Sequence, residues 1–114
     1  KIVRVDLKGG AHTPFVTDLE SPTDLAFDKD GKLYVFDGGK ERQNVRVYDS
    51  GGKYLRSVGT PGGFKVGPWD ATRMGQVTAI DIDSRGQLWV VETQYHPKRV
   101  TVWNPDGTFR KELL

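Results

Sequence analysis

Apolar residues along this chain come in short runs separated by polar turns, never in a long stripe. Residues 33–36 and 88–91 are apolar at every position, which predicts strands covered on both faces. Residues 45–48 and 100–103 place one polar residue, Arg46 or Thr101, among apolar neighbours and predict the strands that follow. Residues 23–27 and 78–82 predict a strand before each run, and the more polar 54–58 and 109–113 predict a fourth strand after it. Asp28 with Gly31 and Asp83 with Gly86 mark the turns between first and second strands. No segment repeats its apolar positions at helical spacing over a useful length, so the chain reads as all-β.

The pattern occurs twice in constant register. Asp28, Gly31, Leu33, Val45 and Gly52 return 55 positions later as Asp83, Gly86, Leu88, Val100 and Gly107. No gap is needed from residue 23 to the end, and a fixed period with matching turn glycines marks a repeat architecture. The opening residues 2–6 alternate as a strand, 6–10 form a turn, and 13–17 form a second strand. Val5-Asp6-Leu7-Lys8-Gly9-Gly10 echoes the run from Val47 to Gly52, so the chain opens on the second half of a repeat. The expected organisation is residues 1–19 as the outer half of a preceding unit, 20–60 as one full unit, 61–75 as a long loop and 76–114 as a second unit.

Four-stranded antiparallel units of this size are the blades of β-propellers. The runs Asp28, Gly31, Leu33-Tyr34-Val35-Phe36-Asp37, Val45-Arg46-Val47-Tyr48 and Asp83, Gly86, Leu88-Trp89-Val90-Val91-Glu92, Arg99-Val100-Thr101-Val102-Trp103, Gly107 resemble the NHL repeat. Arg99, just before the third strand, strengthens the likeness of the second unit; the first unit departs by having Asn44 there. The loops 38–44 and 93–99 are also longer than is usual for that family. The resemblance covers nearly the whole chain and implies part of a six-bladed ring, the remaining blades coming from the same parent chain.

Composition narrows function by exclusion. A net charge of +2 in 114 residues gives no basis for nucleic-acid binding, although Lys40, Arg42, Arg73, Lys98 and Arg99 are basic. The chain has no cysteine, hence no disulfide, thiolate metal site or thiol nucleophile, and that is compatible with any compartment. No apolar run approaches the ~18 residues of a membrane span. Neither histidine, His12 nor His96, has the spacing of a helical zinc motif, and no serine sits in a nucleophile-elbow pattern.

Asp37 and Glu92 occupy matching places at the ends of the second strands, where Glu92 facing Arg99 predicts a bidentate lock within the blade. Asp28 and Asp83 are expected to cap their turns, with Gly31, Gly86 and Gly107 supplying the backbone conformation those turns need. The six-bladed lactonases, a neighbouring propeller family, hold a divalent cation at the ring centre. That resemblance makes Glu20 and Asp24 the weak candidates for a cation, in a metal-dependent lactonase- or lyase-like alternative. No cofactor and no catalytic residue are expected.

Strand parity locates the remaining candidates. In a meander, connections alternate between rims, so the short turns 28–32, 49–53, 83–87 and 104–108 share one rim. The loops 38–44, 60–75 and 93–99 share the other, and carry Arg42, Phe64, Trp69, Arg73, Tyr95, His96 and Lys98. Aromatics beside arginine favour a binding face, here for a protein, peptide or glycan. The competing reading is that Phe64 and Trp69 tuck beneath their own loop. The expected role is therefore a non-catalytic binding scaffold.

Overall fold

In the computed structural model, which describes residues 2–5, 12–16, 18–93 and 98–114, every regular element is a strand. β1 (Ile2–Val5) and β2 (His12–Val16) form an antiparallel pair. β3 (Pro22–Phe27), β4 (Leu33–Asp37), β5 (Asn44–Tyr48) and β6 (Tyr54–Val58) form one four-stranded antiparallel meander, sheet 1. β7 (Val77–Ile82), β8 (Leu88–Glu92), β9 (Arg99–Trp103) and β10 (Phe109–Leu113) form sheet 2 in the same order. These sheets are blades of the β-propeller type. No helix among the described residues is long and apolar enough to cross a membrane.

The strands reach one residue further than the apolar pattern at functionally telling places. Asp37 pairs with Asn44 across β4 and β5, and Glu92 with Arg99 across β8 and β9. The pattern stops short there because these residues are polar. They are nonetheless buried, and the ladder continues through them. At the opening, β2 starts at His12 rather than residue 13; Asp6 and Thr17, expected at strand ends, lie outside the described residues.

All five residues of β4 are buried, as expected of a strand covered on both faces. Leu33, Val35 and Tyr48 face one way, into a cluster with Val16 and Leu19. Tyr34, Phe36, Val45, Val47 and Val58 face the other way, against Met74 of the long loop and Ile80, Leu88, Val90 and Trp103 of the second repeat. The core therefore lies between sheets, and each sheet is a layer stapled to its neighbours by apolar contact.

The repeat extends to details that the apolar pattern cannot show. Tyr48 and Tyr54 meet edge to face at 5.8 Å, and Trp103 and Phe109, 55 positions on, do the same at 5.2 Å. Asp28 Oδ1 accepts the N–H groups of Asp30 and Lys32 at 2.9 Å, and Asp83 Oδ1 those of Arg85 and Gln87 at the same distance. Gly31 and Gly86 close these turns at φ of 80° and 78°, a conformation that costs a residue with a Cβ roughly 1 kcal/mol or more. Gly107 serves the equivalent outer turn at φ 90°.

Candidate site: the long-loop rim

Each long loop is anchored by a carboxylate at the end of a second strand. Asp37, with no exposed side-chain surface, accepts the backbone N–H groups of Glu20 at 3.0 Å, Ser21 at 2.9 Å and Gly39 at 3.0 Å. Arg42 Nη1 donates to Asp37 at 2.8 Å and to the Asp18 carbonyl at 2.6 Å. Burial alone would raise this carboxyl's pKa, but the three amides and Arg42 outweigh it and hold the group below the ordinary carboxylate value.

Glu92 repeats the arrangement. Its Oε1 accepts the N–H of Gly75 at 2.7 Å, and Gly75 stands 55 positions after Glu20. Its Oε2 takes a single bond, 2.8 Å, from Arg99 Nε. The expected bidentate lock is therefore not what forms. One Glu92 oxygen is held by the loop backbone, leaving the guanidinium's other face for Glu112 of β10, which Nη1 meets at 2.5 Å. Arg99 also donates to the carbonyls of Ala71, at 2.9 Å, and Arg73. A fully buried guanidinium thus ties two strands and a loop together, its donors met by two carboxylates and two carbonyls.

The first unit achieves the same end with different residues. Where Arg99 would stand, Asn44 reaches only the Gly59 carbonyl, at 3.2 Å. The cation comes instead from Arg42 in the preceding loop. The sequence signalled the departure at Asn44 but not its remedy, because loop residues carry no register of their own.

Above Arg99 sit the two aromatics of the long loop. Phe64 and Trp69 lie 5.4 Å apart in a tilted stack, with the Arg99 guanidinium 5.6 Å from the first ring and 5.0 Å from the second. Phe64 is partly covered, whereas Trp69 is 51% exposed, so the loop buries one ring and presents the other. Met74 is fully buried in the core between the sheets and does not cover Trp69 from solvent. Beside Trp69 is a recess of about 190 Å³ lined by Phe64, Lys65, Pro68, Asp70 and Arg73. Thr72 donates side-chain and backbone hydrogen bonds to Asp70, which lower its carboxyl pKa.

The other candidates divide. Arg73 Nη1 donates to the carbonyls of Pro61 and Gly63, and its Nε lies 3.5 Å from Asp70, so it braces its own loop. Arg42, as described, braces another, and the two loops are joined by Gly62 N–H on the Arg42 carbonyl at 2.8 Å. Lys98 is exposed; Tyr95 and His96 lie outside the described residues. Glu20 and Asp24 are directed at different partners. Glu20 Oε1 is 3.8 Å from Arg42 Nε, and Asp24 Oδ2 accepts the N–H of Ile80 in the next sheet at 2.8 Å. Among the described residues, no three His, Cys, Asp or Glu side chains gather as a metal centre would need.

No family model matches the sequence, and no curated protein matches it. Solved structures share its fold, among them the following two. A chain of a nidogen/laminin complex superposes with a TM-score of 0.70 at 23% identity, over 96% of this chain and 38% of that one. A protein from Lactobacillus plantarum superposes with a TM-score of 0.62 at 18% identity, over 97% of this chain and 31% of that one. The chain thus spans about a third of the length of each.

Proposed function

We propose that this chain is a segment of a six-bladed, NHL-type propeller whose long-loop rim is a non-catalytic binding face for a protein or peptide. The observation that carries the reading is Trp69. It is a half-exposed indole held at a fixed angle by Phe64 and backed by the buried Arg99 guanidinium. A pre-positioned aromatic beside a recess loses little freedom when a partner covers it, which is the economy that makes such residues hot spots. The scaffold supports the same reading, because Arg42, Arg73 and Arg99 direct their donors inward and fix the loops. A protein of this fold occurs in a complex named for nidogen and laminin, which shows that such a propeller can sit within a protein–protein assembly. The 55-residue repeat, with its turn aspartates and glycines, supports the NHL-type assignment.

The test is a partner captured on the wild-type chain and then titrated against variants. Trp69→Ala is expected to weaken binding by ~2 kcal/mol, roughly thirtyfold, with the melt shifted by only a few degrees. Arg85→Ala, on the short-turn rim, is expected to leave affinity unchanged. Equal affinity for the wild-type chain and Trp69→Ala would remove the rim from consideration.

A further inference from the structure

Gln43 carries both backbone strain and an unmet polar atom. Among the described residues it is the one non-glycine with a positive φ, 47°, a left-handed conformation that a residue with a Cβ seldom adopts. Its Oε1 is buried and has no hydrogen-bond donor among the described residues. Its Nε2 makes a long bond, 3.4 Å, to the Gly38 carbonyl. Strain and an orphaned buried acceptor each cost stability, and where they coincide the reason is sought in function.

The neighbouring loop makes room for this side chain. Gly63 lies against it, and a Cβ there would stand 3.2 Å from Gln43 Cγ. Two recesses are lined in common by Gln43 and by the exposed Gln76. One, of about 250 Å³, has apolar walls from Phe36 and Val77 beside the hydroxyl-bearing Ser21, Thr23 and Thr78. The other, of about 380 Å³, is walled by Phe64 and Met74 and carries Lys40, the one charged residue lining either recess. An anion would therefore meet Gln43 Oε1 oxygen to oxygen, and a cation would find Lys40 and no carboxylate. The lining suits a neutral ligand that brings its own donor.

We infer that Gln43 anchors a site for a primary carboxamide, the side chain of an asparagine or glutamine in a bound protein or peptide. A primary carboxamide carries a C=O and an N–H on one edge, and so does the side chain of Gln43. Gln43 Oε1 accepts the ligand's N–H, and Nε2, which has two hydrogens and lends at most one to Gly38, donates to its C=O. The last torsion of a glutamine is soft, so with that long bond as its tether the amide turns toward either recess. The site lies apart from the recess beside Trp69. It rests on the reading of the long-loop rim as a face for a protein or peptide, and names a group which that face recognises.

Propionamide is the probe, titrated into the full 114-residue chain and followed by NMR at the Gln43 side-chain amide and the backbone amides of Gly63 and Thr78. Saturable shifts are expected in roughly the millimolar range, as suits so small a ligand. N,N-Dimethylpropionamide keeps the acceptor but has no N–H, and should bind at least about tenfold more weakly. Gln43→Met keeps the length of the side chain without its polar atoms. It should weaken propionamide to the same degree and melt at or above wild type, because an orphaned acceptor is gone. If Gln43→Met fails to fold, the two probes on the wild-type chain decide alone. Absence of saturation, equal binding of both probes, or binding indifferent to Gln43→Met would overturn the inference. With the captured partner, Gln43→Met should lower affinity about tenfold. A partner that needs Trp69 but is indifferent to Gln43→Met would overturn the carboxamide site and leave the rim standing.

Discussion

Arg99→Ala is expected to lower the stability of the chain by about 3–5 kcal/mol, the cost of removing one partner from a buried ionic cluster. Its guanidinium has no exposed surface and holds Glu92, Glu112 and the carbonyls of Ala71 and Arg73. Truncation leaves Glu92, itself nearly fully buried, facing a void with only the Gly75 amide as partner. At roughly 4 °C for each kcal/mol in a chain of this size, the melt should fall by roughly 12–20 °C. Because Phe64 and Trp69 rest on the same group, their loop should loosen first, read as faster amide exchange around Gly75. Arg42→Ala makes a useful contrast. Asp37 keeps its three backbone donors there, and Arg42 is partly exposed, so the loss should be clearly smaller. A melt for Arg99→Ala within two or three degrees of wild type would mean the cluster is replaceable by water.

Asp37→Ala should cost about 2–4 kcal/mol, since it takes the buried acceptor from three amides and breaks the ion pair with Arg42, which keeps the Asp18 carbonyl and Glu20. The same contacts predict a pH dependence. The Asp37 pKa lies below its unfolded value, so its contribution is complete above the ordinary carboxylate pKa and is lost as pH falls through the folded value. Asp49, Asp70 and Asp106 are lowered in the same direction by hydrogen bonds within their own turns and loops, and Asp83 chiefly by the Trp89 indole N–H of β8. Wild-type stability should therefore hold through neutral pH and decline on acidification below about pH 4. Asp37→Asn should be less stable at neutral pH and show a shallower decline. Parallel acid profiles for the two proteins would remove Asp37 from that role.

The layers of this fold were legible because the strands are local and the core is periodic. Leu33 to Phe36, apolar throughout, announced a strand covered on both faces, and the constant spacing announced a second copy of it. Asp28 and Asp83 were legible as turn caps because the partner amides lie two and four residues away. The rim assignment also followed from counting strands.

What resisted reading was long-range. Glu112 as second acid to Arg99, Asp24 as acceptor for Ile80 and Arg42 as stand-in for a missing arginine all join residues with no fixed sequence offset. The fate of Trp69 and Phe64 was undecidable from composition. Both lie in a loop rich in glycine and proline, and the outcome is set by how that loop folds back, with the Phe64 ring lying over Gly75 and Trp69 left 51% exposed.

A partner that seats on the long-loop rim must shield the amides of those loops. Hydrogen exchange of the chain, free and saturated with its captured protein partner, tests this without any substitution. Slowed exchange concentrated in the long loops 38–44, 60–75 and 93–99 is the predicted result. Slowing at the turns 28–32, 49–53, 83–87 and 104–108, with the long loops unchanged, would contradict it.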